Sequence, residues 1–491
     1  MSELAEIQRR DLADVALNTA VGGGAAYADF RLEKHRRQGI EVKERDVERL
    51  QDSSSKGYAV RLVRNGRWGF AASDDITPDG VARTATRALA MASALEELKG
   101  YDVALADEPP VTGRWSSPLQ IDPFEIDVDE KIAHLIEVNR AVLAGKVAKY
   151  CNSWLDQAKE LKYLVTSEGT EVAQERTRLQ SNFEAVATGS DGRLVELRSD
   201  SVPAGRGYEH IRDFDFLAAA ERHSELLAEK LAAPSVTAGK YDLVVGATNL
   251  WLTIHESIGH ATELDRVLGY EANYAGTSFA TLENLDQLKY GSDAVTVLAD
   301  RTQEGGLSTV AWDDDGVAAQ EWPLISEGIL VGYQYNREIA AAEGLPRSVG
   351  CAYADSWQHM PIQRMPNVSL QPSADDTSIE DLVSGVEDGI YITGDNSWSI
   401  DMRRLNFQFT GQLYYQIKNG KIAGMLRDVA YQGNTIDFWN SCEAVGGPDT
   451  YVLGGAFNCG KGQPGQVAAV SHGAPAALFR QVNVLNTSEK G

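Results

Sequence analysis

The chain has 491 residues, with 46 Lys and Arg against 71 Asp and Glu, for a formal net charge of −25. At roughly 100–200 residues per domain this length holds two to four domains, and 43% hydrophobic with 24% charged residues is globular composition, not disordered or fibrous. The acidic balance excludes nucleic acid and anionic membrane as expected partners, because the field repels phosphates, and no run approaches the roughly 18 apolar residues of a membrane span.

Residues 3–20 and 78–98 carry apolar side chains at helical spacing, for example Val81, Ala85, Leu89 and Met91. The first of these stretches has acids throughout and lacks the apolar core of a signal peptide. Tyr58–Val63 and Arg67–Ala71 are strand-like and flank Arg64-Asn65-Gly66, a strong hairpin signal because both turn positions need positive φ. Residues 1–115 therefore read as an α+β domain. The polar, Pro-bearing stretch from Glu108 to Pro123 reads as a connection. A helix over about 125–147 follows, and then the alternating runs Lys159–Ser167, Glu171–Gly189 and Arg193–Ser199 imply an antiparallel meander. A helix over about 215–233 leads to the small-residue segment Ala232–Gly239, which divides a central domain (116–238) from a C-terminal one (239–491). The last domain reads as short, mainly antiparallel strands with Gly-rich turns and one helix near 249–264. The class is α+β.

That helix carries His255-Glu256-Ser257-Ile258-Gly259-His260, an HExxxH pattern. In the familiar zinc pattern HExxH, i and i+4 place both imidazoles on one helix face. A spacing of five rotates by about 500° on an ideal helix and leaves the rings about 140° apart. Convergence on one ion therefore needs a π-bulge or a helix end, and Gly259 makes distortion cheap. The expected distortion lies at Ile258–Ala261. Tyr241–Val245 reads as the strand before the helix, Thr248 or Asn249 as its N-cap, and Leu250, Trp251, Ile254 and Ile258 as its buried stripe. His359, His472, Glu263 and Cys459 are candidates for a third ligand. Cys459 lies in a Gly-rich loop, where backbone can approach a site closely and where Lys461 could assist thiol ionisation.

The run from His255 to Asp265 resembles the HExxxHxxExD segment of the TldD branch of the TldD/PmbA family, and Cys459-Gly460-Lys461-Gly462-Gln463 resembles that branch's C-terminal CGK segment. Further likeness lies in Asp313–Gly316, in His359-Met360-Pro361 with Arg364–Asn367, and in Ala28–Leu32, Gly57–Arg61 and Gly69–Ala71. The resemblance covers nearly the whole chain and is weakest over about 100–230. The acid-bearing N-terminus and the scattered cysteines imply a cytoplasmic protein; the resemblance implies a zinc metallopeptidase with one zinc per chain on His255, His260 and Cys459, and with Glu256 as general base. It also implies dimers, formed with a second copy or with a PmbA-type (TldE) paralogue, and short or unfolded peptide substrates such as leader peptides. The alternative function is a catalytically silent, peptide-binding partner of the PmbA type.

Three protein ligands leave a fourth position open, the catalytic arrangement of zinc. Two neutral imidazoles and a thiolate leave the ion a net charge of about +1, a weaker Lewis acid than an all-histidine site, so a nearby base matters more. Glu263, three residues after His260, is read either as a hydrogen-bond acceptor beneath that imidazole or as a solvated helix carboxylate. His359 and Arg364 are read either as substrate or oxyanion contacts or as structural hydrogen bonders. Asp313–Asp315 before Gly316 is read as a turn in preference to a calcium site. Cys151, Cys351 and Cys442, with no CxxC pair among them, are read as ordinary small residues outside any disulfide framework.

Overall fold

Asn65 and Gly66 adopt φ of 48° and 70°, the geometry a two-residue turn between right-twisted strands requires. In this computed structural model, which describes residues 6–100, 102–462 and 465–488, the turn follows strands β1 (Tyr27–Lys43) and β2 (Asp46–Arg64) and leads into β3 (Arg67–Ser73). The sheet continues through β4 (Thr112–Ser116), β5 (Tyr150–Thr166), β6 (Glu171–Thr188) and β7 (Leu194–Arg198), in the order β3-β2-β1-β5-β6-β4 with β7 beside β6. The expected meander is thus β5-β6-β7, and the antiparallel ladder between β1 and β5 joins it to the first hairpin. The 108–123 connection differs from expectation. Its Thr112–Ser116 segment runs parallel to β6, an edge strand concealed by the prolines just before it.

Helices α1 (Glu6–Gly22) and α2 (Pro78–Leu95) pack Leu12, Ala16, Val81 and Ala85 against Phe30, Leu32 and Val60 of the sheet. Residues 3–5 of the expected first helix lie outside the described residues. Farther along, α3 (Val128–Ala144) and α4 (Phe216–Ala232) bury Leu135, Val142 and Leu227 against Ile40, Leu155 and Phe183.

The C-terminal part contains β8 (Gly239–Val245), β9 (Asp388–Ile400), β10 (Asn406–Lys418), β11 (Val429–Asn434), β12 (Val452–Lys461), β13 (Gln466–Ala474) and β14 (Ala477–Asn486). Pairing runs β9-β8-β14-β11-β10 and back to β9, so these five strands close into a ring, parallel only at β8–β9. The fold is α+β, as the element pattern predicts. No helix among the described residues is long and apolar enough to cross a membrane.

Asp313–Gly316 is the turn its composition suggests: the Gly316 N–H bonds the Asp313 carbonyl at 3.1 Å, and Gly316 has φ 80°. The turn is buried, and its acids are answered within the protein. Asp314 pairs with Lys162 at 2.6 Å and Asp315 with Arg61 at 2.7 Å, while Asp313 accepts backbone N–H groups of Asp315, Val317 and Ala352, each at 2.9 Å. These contacts tie the first sheet to the C-terminal part. Cys151, Cys351 and Cys442 are buried and free, and burial pushes each thiol up to about 12.

Candidate metal centre

The chain leaves β8 and enters helix α5 (Ala247–Ile254) at Gly246, whose extended φ/ψ makes it the N-cap. Neither Thr248 nor Asn249 caps the helix. The Thr248 hydroxyl accepts the Gly394 N–H at 3.0 Å, and the Asn249 amide donates to the Gly394 and Thr410 carbonyls at 2.9 and 3.0 Å, so both tie α5 to the ring. Leu250, Trp251, Ile254 and Ile258 are buried in the core shared with the ring strands.

After Ile254 the α-helix widens. His255–Gly259 is a π turn, in which the His260 N–H bonds the His255 carbonyl five residues back, and a 3-10 turn over His260–Thr262 ends the helix. The distortion therefore starts three residues before the expected Ile258. Its loosened carbonyls are caught by side chains: Tyr290 bonds the Ser257 carbonyl, and Gln334 Nε2 donates to that of Gly259 at 2.6 Å. The wider turn brings the two imidazoles together, with ring centroids 4.6 Å apart.

The tautomers follow from the partners. His472 Nδ1 lies 2.8 Å from the Val368 carbonyl, which can only accept, and burial holds His472 far below the usual imidazole range. Its Nε2 is then a bare lone pair that accepts Nδ1–H of His255 at 2.7 Å. His260 likewise donates Nδ1–H to Glu263 at 2.7 Å. His255 and His260 are thereby both left with Nε2 lone pairs.

Cys459 reaches the same point from β12, where a bulge between Ala456 and Cys459 shifts its register against β13. Its Sγ lies 3.7 Å from His260 Nε2, and donor atoms of His255, His260 and Cys459 all lie within 4.8 Å of one another in buried surroundings. Donors around a tetrahedral zinc stand about 3.3–3.8 Å apart, given bond lengths of about 2.0–2.3 Å. Burial pushes the Cys459 thiol up, but His260 and then Arg364 outweigh it and hold it below its ordinary value. Burial also holds His255 below the usual imidazole range. Neutral imidazole and a readily ionised thiol are what metal ligation demands. This group could hold a metal ion.

Of the other side chains singled out, Lys461 takes a different place from the one expected, and Arg364 and His359 make the structural hydrogen bonds of their second reading. Lys461 does not serve the thiol; its buried Nζ bonds Glu263 at 2.9 Å, Asp265 at 2.8 Å and Gln363. Arg364 does not reach substrate space, because its guanidinium donates to the carbonyls of Cys459 (2.5 Å) and Gln466 (3.1 Å) and so fixes the hairpin that carries the thiol. His359 also lies off the cleft: its Nδ1 bonds Asp355 at 2.6 Å, and its carbonyl accepts Arg31 at 2.6 Å. In the Gly-rich loop, Gln463 and Pro464 lie outside the described residues.

Glu256 opens onto a cleft of about 960 Å³, lined by His255, His260, Trp251, Trp398 and Phe457–Gly460 and, from the first sheet, by Asn182 and Arg198. Burial pushes the Glu256 carboxyl up, but His255, His260 and Arg404 hold it below the usual carboxylate range. Arg404 bonds Glu256 directly through Nη1. No motif announces Arg404; it lies 148 residues further along, in the turn between β9 and β10.

Comparisons with known proteins point to one family. Family models described as PmbA/TldA metallopeptidase domain 1, central domain and C-terminal domain match residues 28–92, 121–233 and 238–486. A "metalloprotease" of Methanothermobacter thermautotrophicus is 29% identical over 461 residues, covering 94% of this chain and 96% of that one. The "zinc metalloprotease TldD homolog" of Saccharolobus solfataricus is 25% identical, over 94% and 97% of the two chains. Among solved structures, TldE from Thermococcus kodakarensis superposes with a TM-score of 0.74 at 15% identity, over 97% and 99%. With its C-terminal half matched throughout and two further family domains in order before it, the chain belongs to the PmbA/TldD metallopeptidase family.

Proposed function

We propose that this protein is a zinc metallopeptidase that hydrolyses short or unfolded peptides, with one zinc per chain on His255, His260 and Cys459 and with Glu256 as general base. The observation that carries this reading is the convergence of two imidazoles and a thiol beside a buried carboxylate that lines a cleft. The names of the relatives point the same way. A metal bound there supplies Lewis acidity and a water of lowered pKa. Glu256 takes the water's proton and returns it to the leaving amine. His472 and Glu263 keep the imidazoles turned, and Arg364 holds the Cys459 backbone.

Among the described residues strand β12 has a strand partner on one side only, β13, and its Gly455–Gly460 stretch lines the cleft. An extended peptide laid along it would be held by main-chain hydrogen bonds with little side-chain selectivity, whereas folded proteins, whose strands are already paired, would be excluded. Resemblance to a TldE fold supports pairing with a second copy or with a paralogue of that type. The units 1–115, 116–238 and 239–491 are proposed as its domains.

The test is zinc per chain, by elemental analysis, with hydrolysis of an unstructured peptide measured alongside. About one zinc per chain is expected, largely lost in Cys459→Ala. Full zinc in the variant would remove Cys459 from the ligand set, and a metal-free wild type purified without chelator would overturn the reading. His472→Ala is expected to weaken zinc by about 10–100-fold in competition with a chelator, because His255 loses the partner that fixes its tautomer.

A further inference from the structure

Arg404 is built into its place with unusual care. Its φ is 63°, left-handed for a bulky side chain, a conformation that persists only where the surroundings over-determine it. Here they do. The Asp401 carboxylate accepts the backbone N–H groups of Arg403, Leu405 and Asn406 at 2.9–3.1 Å, tying the turn into a knot. From outside, Thr435 Oγ1 donates to the Arg404 carbonyl at 2.8 Å, and the N–H groups of Thr277 and Phe279 bond the carbonyls of Met402 and Arg403 at 2.9 and 3.0 Å.

The guanidinium so positioned is only partly used. Nη1 bonds Glu256, Nε is buried with no partner, and Nη2 makes no hydrogen bond among the described residues. Nε and Nη2 form one edge of the planar group, the two-donor fork with which arginine meets oxygen anions. The side chain is 13% exposed and lines the cleft among His255, Glu256, His260 and Cys459. An orphaned donor of this kind costs stability unless something fills it. A substrate oxygen in the cleft that Arg404 lines would be such a partner.

We propose that Arg404 is a catalytic residue whose Nε–Nη2 edge binds the carbonyl oxygen of the scissile peptide bond as negative charge develops on it. This rests on the peptidase reading above and adds a second electrophile to it. The water oxygen bonds the carbonyl carbon while Glu256 takes a proton from that water. The C=O π pair moves onto the carbonyl oxygen, where Arg404 hydrogen-bonds it. As the pair returns, the C–N bond breaks and Glu256 delivers its proton to the departing amine nitrogen. A thiolate in the ligand set weakens the metal as a Lewis acid, so a fixed cation at the oxygen has more to contribute. Through Nη1 the same guanidinium holds the base in line with the reacting carbonyl.

The test compares wild type, Arg404→Ala and Arg404→Lys for zinc content, for kcat and KM on one unstructured peptide, and for inhibition by a phosphinic analogue of that peptide. In Arg404→Ala, kcat is expected to fall about 10²–10³-fold with zinc content unchanged and KM within about threefold. The phosphinate should lose affinity by a factor close to the loss in kcat/KM, because it mimics the charged oxygen and the substrate does not. Guanidinium ion below denaturing concentration should restore part of kcat to Arg404→Ala and none to wild type. Arg404→Lys keeps a charge but no fork and should still lose at least tenfold in kcat, which keeps the test decisive if the Ala variant fails to fold. An Arg404→Ala or Arg404→Lys protein with wild-type kcat, or a loss confined to KM or to zinc content, would overturn the assignment of Arg404 alone. A zinc-loaded wild type with no hydrolysis would overturn the peptidase reading, and this proposal with it.

Discussion

Glu256→Gln is expected to retain its zinc and to lose peptide hydrolysis by about 10²–10⁴-fold, the span that positioned general bases contribute. The substitution keeps shape and volume. A glutamine Oε1 can still accept from Arg404 Nη1, so the turn between β9 and β10 and the cleft wall are preserved while proton affinity is lost. The other carboxylates near His255 and His260 are committed elsewhere: Glu263 lies between His260 and Lys461, and Asp265 is held by Lys461. Among cleft-lining acids, Asp395 is paired with Arg198 at 2.7 Å. Zinc content, kcat and KM should be read on the same preparation. A loss smaller than about tenfold, outside the general-base span, with zinc retained would move the base to another residue. A protein whose catalytic role is nil, as in a silent partner subunit, would give no hydrolysis to lose.

How far the site could be foreseen varies residue by residue, and the limits are physical. The HExxxH spacing is incompatible with an ideal helix, so a distortion was implied by geometry alone, and the π turn supplies it. The Asn65–Gly66 turn and the apolar stripe of α5 were legible because each depends on a few adjacent residues. The cap at Gly246 was not, since Thr248 and Asn249 are better intrinsic caps and lose that role only because the ring offers them carbonyls and an N–H group from distant strands. For His472, Glu263 and Lys461, sequence marks a polar residue near a motif, but the partner decides what it does. His472 was weighed as a ligand and lies behind His255, because the carbonyl of Val368 turns its lone pair onto that ring. Arg404 left no trace in spacing. Its placement depends on the Asp401 knot and on a positive φ in a residue type that seldom adopts one.

Lys461→Met should be the most destabilising of these single changes. Lys461 is 3% exposed and is the cation between Glu263, Asp265 and Gln363, while Arg266 lies farther from Glu263 at 3.8 Å. Methionine replaces the stem but not the charge, leaving carboxylates buried against each other, a change that costs about 3–5 kcal/mol when one partner of a buried pair is removed. Urea unfolding of the chelated protein isolates this from any change in zinc. The sign with pH follows from Asp265, which burial pushes up from 3.8 to about 6 against the pull of Lys461. Because the folded carboxyl holds its proton to higher pH than the unfolded one, this group's contribution falls as pH rises from about 4 to about 6. Without Lys461 the shift can only grow, so the loss should be larger at pH 8 than at pH 5. Asp265→Asn in the Lys461→Met background removes one of the stranded charges and should recover part of the loss at pH 8. Equal losses at both pH values, with no recovery in the double variant, would mean that the lysine stem, not its charge, holds this corner of the site together. A second consequence reaches the metal. Glu263 loses the cation that fixes it beneath His260, so zinc should also bind about 10–100-fold more weakly, linking the stability of a buried ion cluster to the affinity of the site it supports.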